Sequence, residues 1–208
     1  MLHKLSPMTK LLLILSFLVT GSLINAQFFS DQTLQQSALQ LNNAKTDNDY
    51  DTLFKTFSEA KTSEKWKANY YAAAALYLKT DFLLKNVPNS SLGEPNESAR
   101  NLAMQVLSSE KNNGEVNLLL ALIHFQKIRI KTSADPQKEL KTVTGFMTKA
   151  ETSLKDNPRL SFLKAEIAER QGNKTEAVKL YQKAAKEFET SNASSGSPTW
   201  GRQLIGTN

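Results

Sequence analysis

From residue 157 onward, hydrophobic and polar positions follow a helical period. Leu160, Leu163 and Ile167 recur at three- and four-residue spacing. After Gln171-Gly172-Asn173 the same spacing resumes through Ala177, Leu180, Tyr181, Ala184 and Phe188. Side chains so spaced share one face of a helix, so the stretch reads as two amphipathic helices joined by a tight turn. Gly172 ends the first helix, because glycine takes the left-handed conformation of a helix end without steric cost. Small residues at Ala177 and Ala184, beside large ones at Tyr181 and Phe188, let two backbones approach and interlock. A lone hairpin of this kind cannot bury its own apolar face, so it implies neighbours of the same kind.

The upstream pattern supplies them. Ser30 or Asp31 caps a helix carrying Leu34, Ala38 and Leu41, and a polar break follows at Asn42 to Asn48. A second helix begins at Asp49, with Tyr50, Leu53, Phe54 and Phe57 on one side. Ser63 is the expected cap of a third, striped by Trp66, Tyr70, Ala73 and Tyr77. Ala72 to Leu76 leaves that helix apolar nearly all round, which predicts burial on several sides. Lys85 to Pro95 reads as a loop, with Pro95 suited to the first turn of a helix that buries Ala99, Leu102, Ala103, Val106 and Leu107. Val116 to about Ile130 contains Leu118 to Ile123 as an unbroken apolar run. Its few β-branched residues and its length in context make it helix rather than strand. Asp135 as cap and Pro136 as first residue open the next helix, marked by Leu140, Val143, Met147, Ala150 and Leu154. Gly145 inside it costs up to about 1 kcal/mol against alanine, and its expected return is a close helix contact.

The chain repeats itself. Residues 111–123 superimpose on 155–167 at a shift of 44, pairing Leu119 with Leu163, Ala121 with Ala165 and Ile123 with Ile167. Ala103 and Leu107 match Ala150 and Leu154, and Ala150 matches Ala184. Hairpins at about 66–109, 114–155 and 158–190 therefore share helix faces while their loops differ in length. The fold class expected is all-α, an α-solenoid of antiparallel helix pairs with about eight helices.

Gly172, Ala177, Tyr181 and Ala184 also carry a resemblance. Their spacing is similar to that of the tetratricopeptide repeat, in which glycine ends helix A while small and aromatic residues alternate on helix B. The first helix departs from that pattern at Lys164 and Ala168, where the repeat has leucine and tyrosine. The chain as a whole resembles exported tetratricopeptide-like proteins of Gram-negative bacteria. The likeness lies in the aromatic-alanine run Trp66-Lys67-Ala68-Asn69-Tyr70-Tyr71-Ala72 and in the Pro-x-Trp-Gly tail, here Pro198, Trp200 and Gly201. The resemblance implies a right-handed superhelix and attaches no activity.

Residues 1–26 change the picture by compartment. Lys4 and Lys10 precede the apolar centre Leu11 to Thr20, and Gly21 to Ala26 forms a small-residue exit. This is the order of a secretory signal peptide, with cleavage expected after Ala26. The apolar run is too short for a stable bilayer anchor. The expected division is thus leader 1–26, helical repeat domain 27–190, and a linker with a capping tail at 191–208, in a periplasmic or secreted protein. Trp200 and Leu204 are expected to fold back onto the last helix pair. The chain has no cysteine, which removes disulfides, thiolate metal sites and cysteine nucleophiles together. Its formal charge of +6 is scattered without a run of five like charges, which argues against a nucleic-acid partner.

Candidate chemistry is sparse. Beyond the leader His124 is the single histidine, one residue past Ile123, and too isolated for a multi-histidine metal site. No phosphate loop, Gly-x-Ser-x-Gly or His-Glu-x-x-His occurs. Glu166, Glu169 and Glu176 lie beside Arg170, Lys174 and Lys179 and read as solvated ion pairs. The sequence therefore predicts no enzyme, no cofactor and no metal. It predicts an interaction or scaffold module holding a peptide or partner protein in a helix-lined groove, with Asn69, Tyr70, Tyr77, Asn117 and His124 as the groove residues; read otherwise, the tyrosines fill the core between the amino-terminal helices and His124 is a partly buried structural residue. A permanent accessory subunit of a cell-envelope assembly complex is the alternative, and a hydrolase with an unrecognised site stands behind both.

Overall fold

The computed structural model describes residues 28–190 and 196–206. The expected leader and its cleavage point lie outside the described residues. Among these residues eight α-helices follow one another: α1 (Gln32–Gln40), α2 (Asp47–Ser58), α3 (Lys65–Asn86), α4 (Gly93–Ser109), α5 (Gly114–Arg129), α6 (Pro136–Glu151), α7 (Pro158–Arg170) and α8 (Lys174–Thr190). No strand occurs among the described residues. The helices pack in adjacent pairs as an all-α solenoid. The first helices of the last three pairs, α3, α5 and α7, also touch one another in turn, and the face on which they meet is the inner face.

Local chemistry sets most boundaries. Asp31, Asn113, Asp135 and Asn157 each cap a helix by accepting backbone N–H bonds from its first turn, and Pro136 and Pro158 occupy first helical positions. Helix α2 starts two residues before Asp49, because Thr46 and Asp49 form a reciprocal capping box. Gly172, at φ 80°, ends α7. There the N–H of Asn173 reaches Ala168 O and that of Gly172 reaches Glu169 O, both at 2.9 Å, the paired bonds of a Schellman turn. The apolar run Leu118 to Ile123 is helix, buried on every side.

Three expectations need correction. Ser63 does not cap α3; the cap position is Glu64, with no side-chain cap bond. The Glu64 carboxylate instead accepts from Ser30 N at 2.8 Å and Ser30 Oγ at 2.7 Å, and pairs with Lys67. Gly145 mediates no close contact, since a Cβ built there would meet nothing within 4 Å. Gly145→Ala is therefore expected to stabilise the chain by about 0.4–1 kcal/mol, read as a raised midpoint in urea. The close approach lies at Gly114, where a Cβ would sit 2.2 Å from Ser153 Oγ and 2.9 Å from Leu154 Cγ. Trp200 and Leu204 are buried, as expected, but Trp200 packs beneath the first repeat as well as the last.

The Glu64 cluster gives the fold a titration signature. Burial works against the charge of this carboxylate, but Lys67 and the Ser30 hydroxyl and N–H outweigh it and hold its pKa at about 2. A carboxyl depressed below its unfolded value of about 4.3 contributes stability above that pH, and the contribution fades as pH falls towards 2. Glu64→Gln is expected to flatten the fall of stability across that window in urea melts taken at successive pH values; an unchanged slope would contradict the assignment.

Candidate functional site

Tyr70, Glu115 and Arg159 come from three consecutive first helices and meet on the inner face. Arg159 Nη2 donates to both Glu115 carboxylate oxygens at 2.8 Å. Tyr70 Oη donates to Glu115 Oε2 at 3.1 Å, and Asn157 Nδ2 donates to Oε1 at 2.9 Å. Arg159 is 2% exposed and Tyr70 fully buried. Burial opposes the Arg159 charge, yet the facing Glu115 carboxylate wins and raises its pKa, so the guanidinium stays charged. Burial, with the Glu115 charge behind it, pushes the Tyr70 hydroxyl well up, so it remains a donor.

Register explains the meeting. Glu115 and Arg159 occupy the same place in two repeats, 44 residues apart, each second in a helix opened by asparagine. Stacking adjacent repeats brings equivalent positions side by side, here with opposite charge. Asn113 and Asn157 act alike: each accepts the N–H groups two and three residues on.

The chain's own carboxyl-terminal segment lies on this cluster. Trp200 is fully buried, with Arg159 4.8 Å from its ring centroid and the ring of Tyr77 6.0 Å away. Its indole N–H donates to Tyr70 Oη at 2.9 Å. Arg159 Nη1 donates to the carbonyls of Pro198 and Trp200, at 2.8 and 2.9 Å. Asn42, just past α1, donates from Nδ2 to Thr199 O at 3.0 Å and accepts at Oδ1 from the N–H of Gly201 at 3.0 Å. Gln203 Nε2 donates to Leu41 O at 2.9 Å. Gly201 has φ 109°, and a Cβ there would meet Arg159 Cγ at 3.3 Å, so the bend after the tryptophan requires glycine. A cleft of about 380 Å³ continues from this segment, lined by Ser153 to Arg159 of the turn into α7 and by Ser197 to Thr199.

The five groove residues expected from sequence divide. Tyr70 and Tyr77 lie together under Trp200. Asn69 is buried on α3. Asn117 is buried with its Nδ2 donating to Asn113 O at 2.8 Å, beside a cleft shared with Lys111 and Lys149. His124 turns towards α6, bonded to Glu139 at 2.5 Å with its ring stacked on Phe146, in a charged hollow with Glu97, Arg100 and Lys127. Sequence reasoning missed Asn42, Glu115, Asn157 and Arg159, although the 44-residue shift already aligned Glu115 with Arg159. Glu166 and Glu169 are not paired as expected: the Tyr181 hydroxyl sits 2.7 and 2.8 Å from them, and Arg129 is 3.3 Å from Glu166.

No protein-family model, curated protein or solved structure matches the chain. Among the described residues no three of His, Asp and Glu converge as a metal site, and no helix is long and apolar enough to cross a membrane. What the inner face does is hydrogen-bond the main chain of residues 198–201 around the buried Trp200.

Proposed function

We propose that this chain is an exported protein-interaction module of tetratricopeptide-like type, holding a peptide or partner protein against its inner face without turnover. The observation that carries the reading is the seating of residues 198–204. Arg159 and Asn42 serve main-chain carbonyls and N–H groups of residues 198–201, just before the short 3-10 turn Arg202–Leu204, and an aromatic floor takes the Trp200 indole. That is the division of labour of a peptide site, in which main-chain bonds hold the segment and a pocket selects it. Of the exposed large apolar residues, Leu39, Met104 and Val178 fall on three different helices and Val87 just past the end of α3, which disfavours a permanent subunit interface. The leader-like order of residues 1–26 favours an extracytoplasmic partner.

The test is photocrosslinking in the native host. A photoreactive residue at Ser153, on the cleft rim, is expected to yield a discrete adduct with another protein, and one at Val178 on α8 is not. Intact mass of the exported chain is expected to begin at Gln27. No adduct from Ser153, or a retained leader, would contradict the reading.

A further inference from the structure

We propose that the cradle of Asn42, Tyr70, Tyr77, Glu115 and Arg159 is a recognition site for a Trp-Gly segment of a partner protein, with the chain's own tail as its resident competitor. This rests on the interaction-module reading and names its ligand.

The Glu115 side of the cradle is built within the helical body. Glu115 is satisfied by Arg159, Tyr70 and Asn157, all residues of the helical body. Its remaining donors and acceptors face outward to the seated segment: Arg159 Nη1, Asn42 Nδ2 and Asn42 Oδ1. These touch only main-chain atoms, so they fix the shape of the ligand and leave most side chains free. Selection falls on two positions. The first must be tryptophan, whose flat face lies against the Arg159 guanidinium while its N–H reaches Tyr70 Oη. The second must be glycine, for the left-handed bend pressed against the Arg159 stem.

Tethering gives the tail an advantage. An attached ligand acts at an effective concentration in the millimolar range, so a weak trans competitor is shut out. The cleft of about 380 Å³ beyond Pro198 supplies the counterweight. Its wall on the helical body is Ser153 to Arg159 with Phe188 and Thr190, against which residues upstream of a partner's tryptophan gain contacts once Ser197 to Thr199, its other wall, have left. The tail thus acts as a threshold that only a longer, matching segment passes.

The experiment keeps the full chain for folding. A specific protease site replaces residues 191–195, and the folded protein is cut there. Fluorescein-labelled peptide spanning residues 196–206 is then added, with anisotropy and circular dichroism recorded together. Saturable uptake is expected, displaced by unlabelled peptide, with helicity unchanged. Peptides carrying Trp200→Ala or Gly201→Ala are expected to bind weaker, the first on the order of a hundredfold. The uncut chain is expected to bind at least about tenfold weaker than the cut one. Three results would overturn the proposal: no uptake with helicity intact, equal uptake of the Trp200→Ala peptide, or loss of helicity as the fragment leaves. Any of these beside a positive Ser153 crosslink would retire the Trp-Gly site and leave the interaction module standing.

Discussion

Arg159→Met is expected to lower unfolding free energy by about 3–5 kcal/mol, the cost of removing one partner from a buried ion pair. Two losses coincide. Glu115 keeps only the Tyr70 hydroxyl and the Asn157 amide, and the carbonyls of Pro198 and Trp200 lose their shared donor. Methionine keeps much of the volume, so the loss reports charge and hydrogen bonding more than a cavity. The double variant Arg159→Met with Glu115→Gln is expected to be less destabilised than Arg159→Met alone, because no unpaired charge then remains buried. Urea denaturation of the four species closes the cycle. Equal stability of Arg159→Met and the native chain would mean that the guanidinium is solvated rather than paired.

Trp200→Ala is expected to cost a similar amount, about 3–5 kcal/mol, for loss of a fully buried indole. Tyr70 loses the N–H it accepts, and Arg159 loses the ring beside it. The effect should reach beyond the tail. Trp200 touches α3 and α7 at once, and the neighbouring Thr199 and Gly201 are bound by Asn42 just past α1. Amide exchange is therefore expected to quicken at the start of α3 as well as in α7. Because both substitutions strike one network, their costs are expected to be less than additive.

Helix existence was legible because it depends on local period and punctuation. Asp135-Pro136 and Gly172 announce their boundaries through capping and φ alone, and the buried face of α5 follows from Leu118 to Ile123. The Ser63 cap failed because Glu64, one residue on, is claimed by Ser30 from a distant segment, a tertiary bond that no local rule contains. His124 looked like a groove residue because neighbouring apolar side chains do not reveal which helix lies opposite. Glu139 and Phe146, on α6, decide its direction. Arg159 was hidden differently. A charged residue beside a proline at a helix start reads as solvated surface, and only the repeat register sets it opposite Glu115. Tail placement was half legible: Trp200 had to be buried, but the hydroxyl awaiting its N–H is 130 residues away, on α3.

The inner face grips Trp200, and the indole N–H reports this directly. The chain has two tryptophans, so two indole signals are expected in a ¹⁵N-labelled spectrum. The Trp200 signal is expected to exchange slowly with solvent, to show contacts to the Tyr70 and Tyr77 rings, and to lose protection in Tyr70→Phe. A Trp200 indole exchanging at the rate of a free peptide, with no contact to either tyrosine, would contradict it.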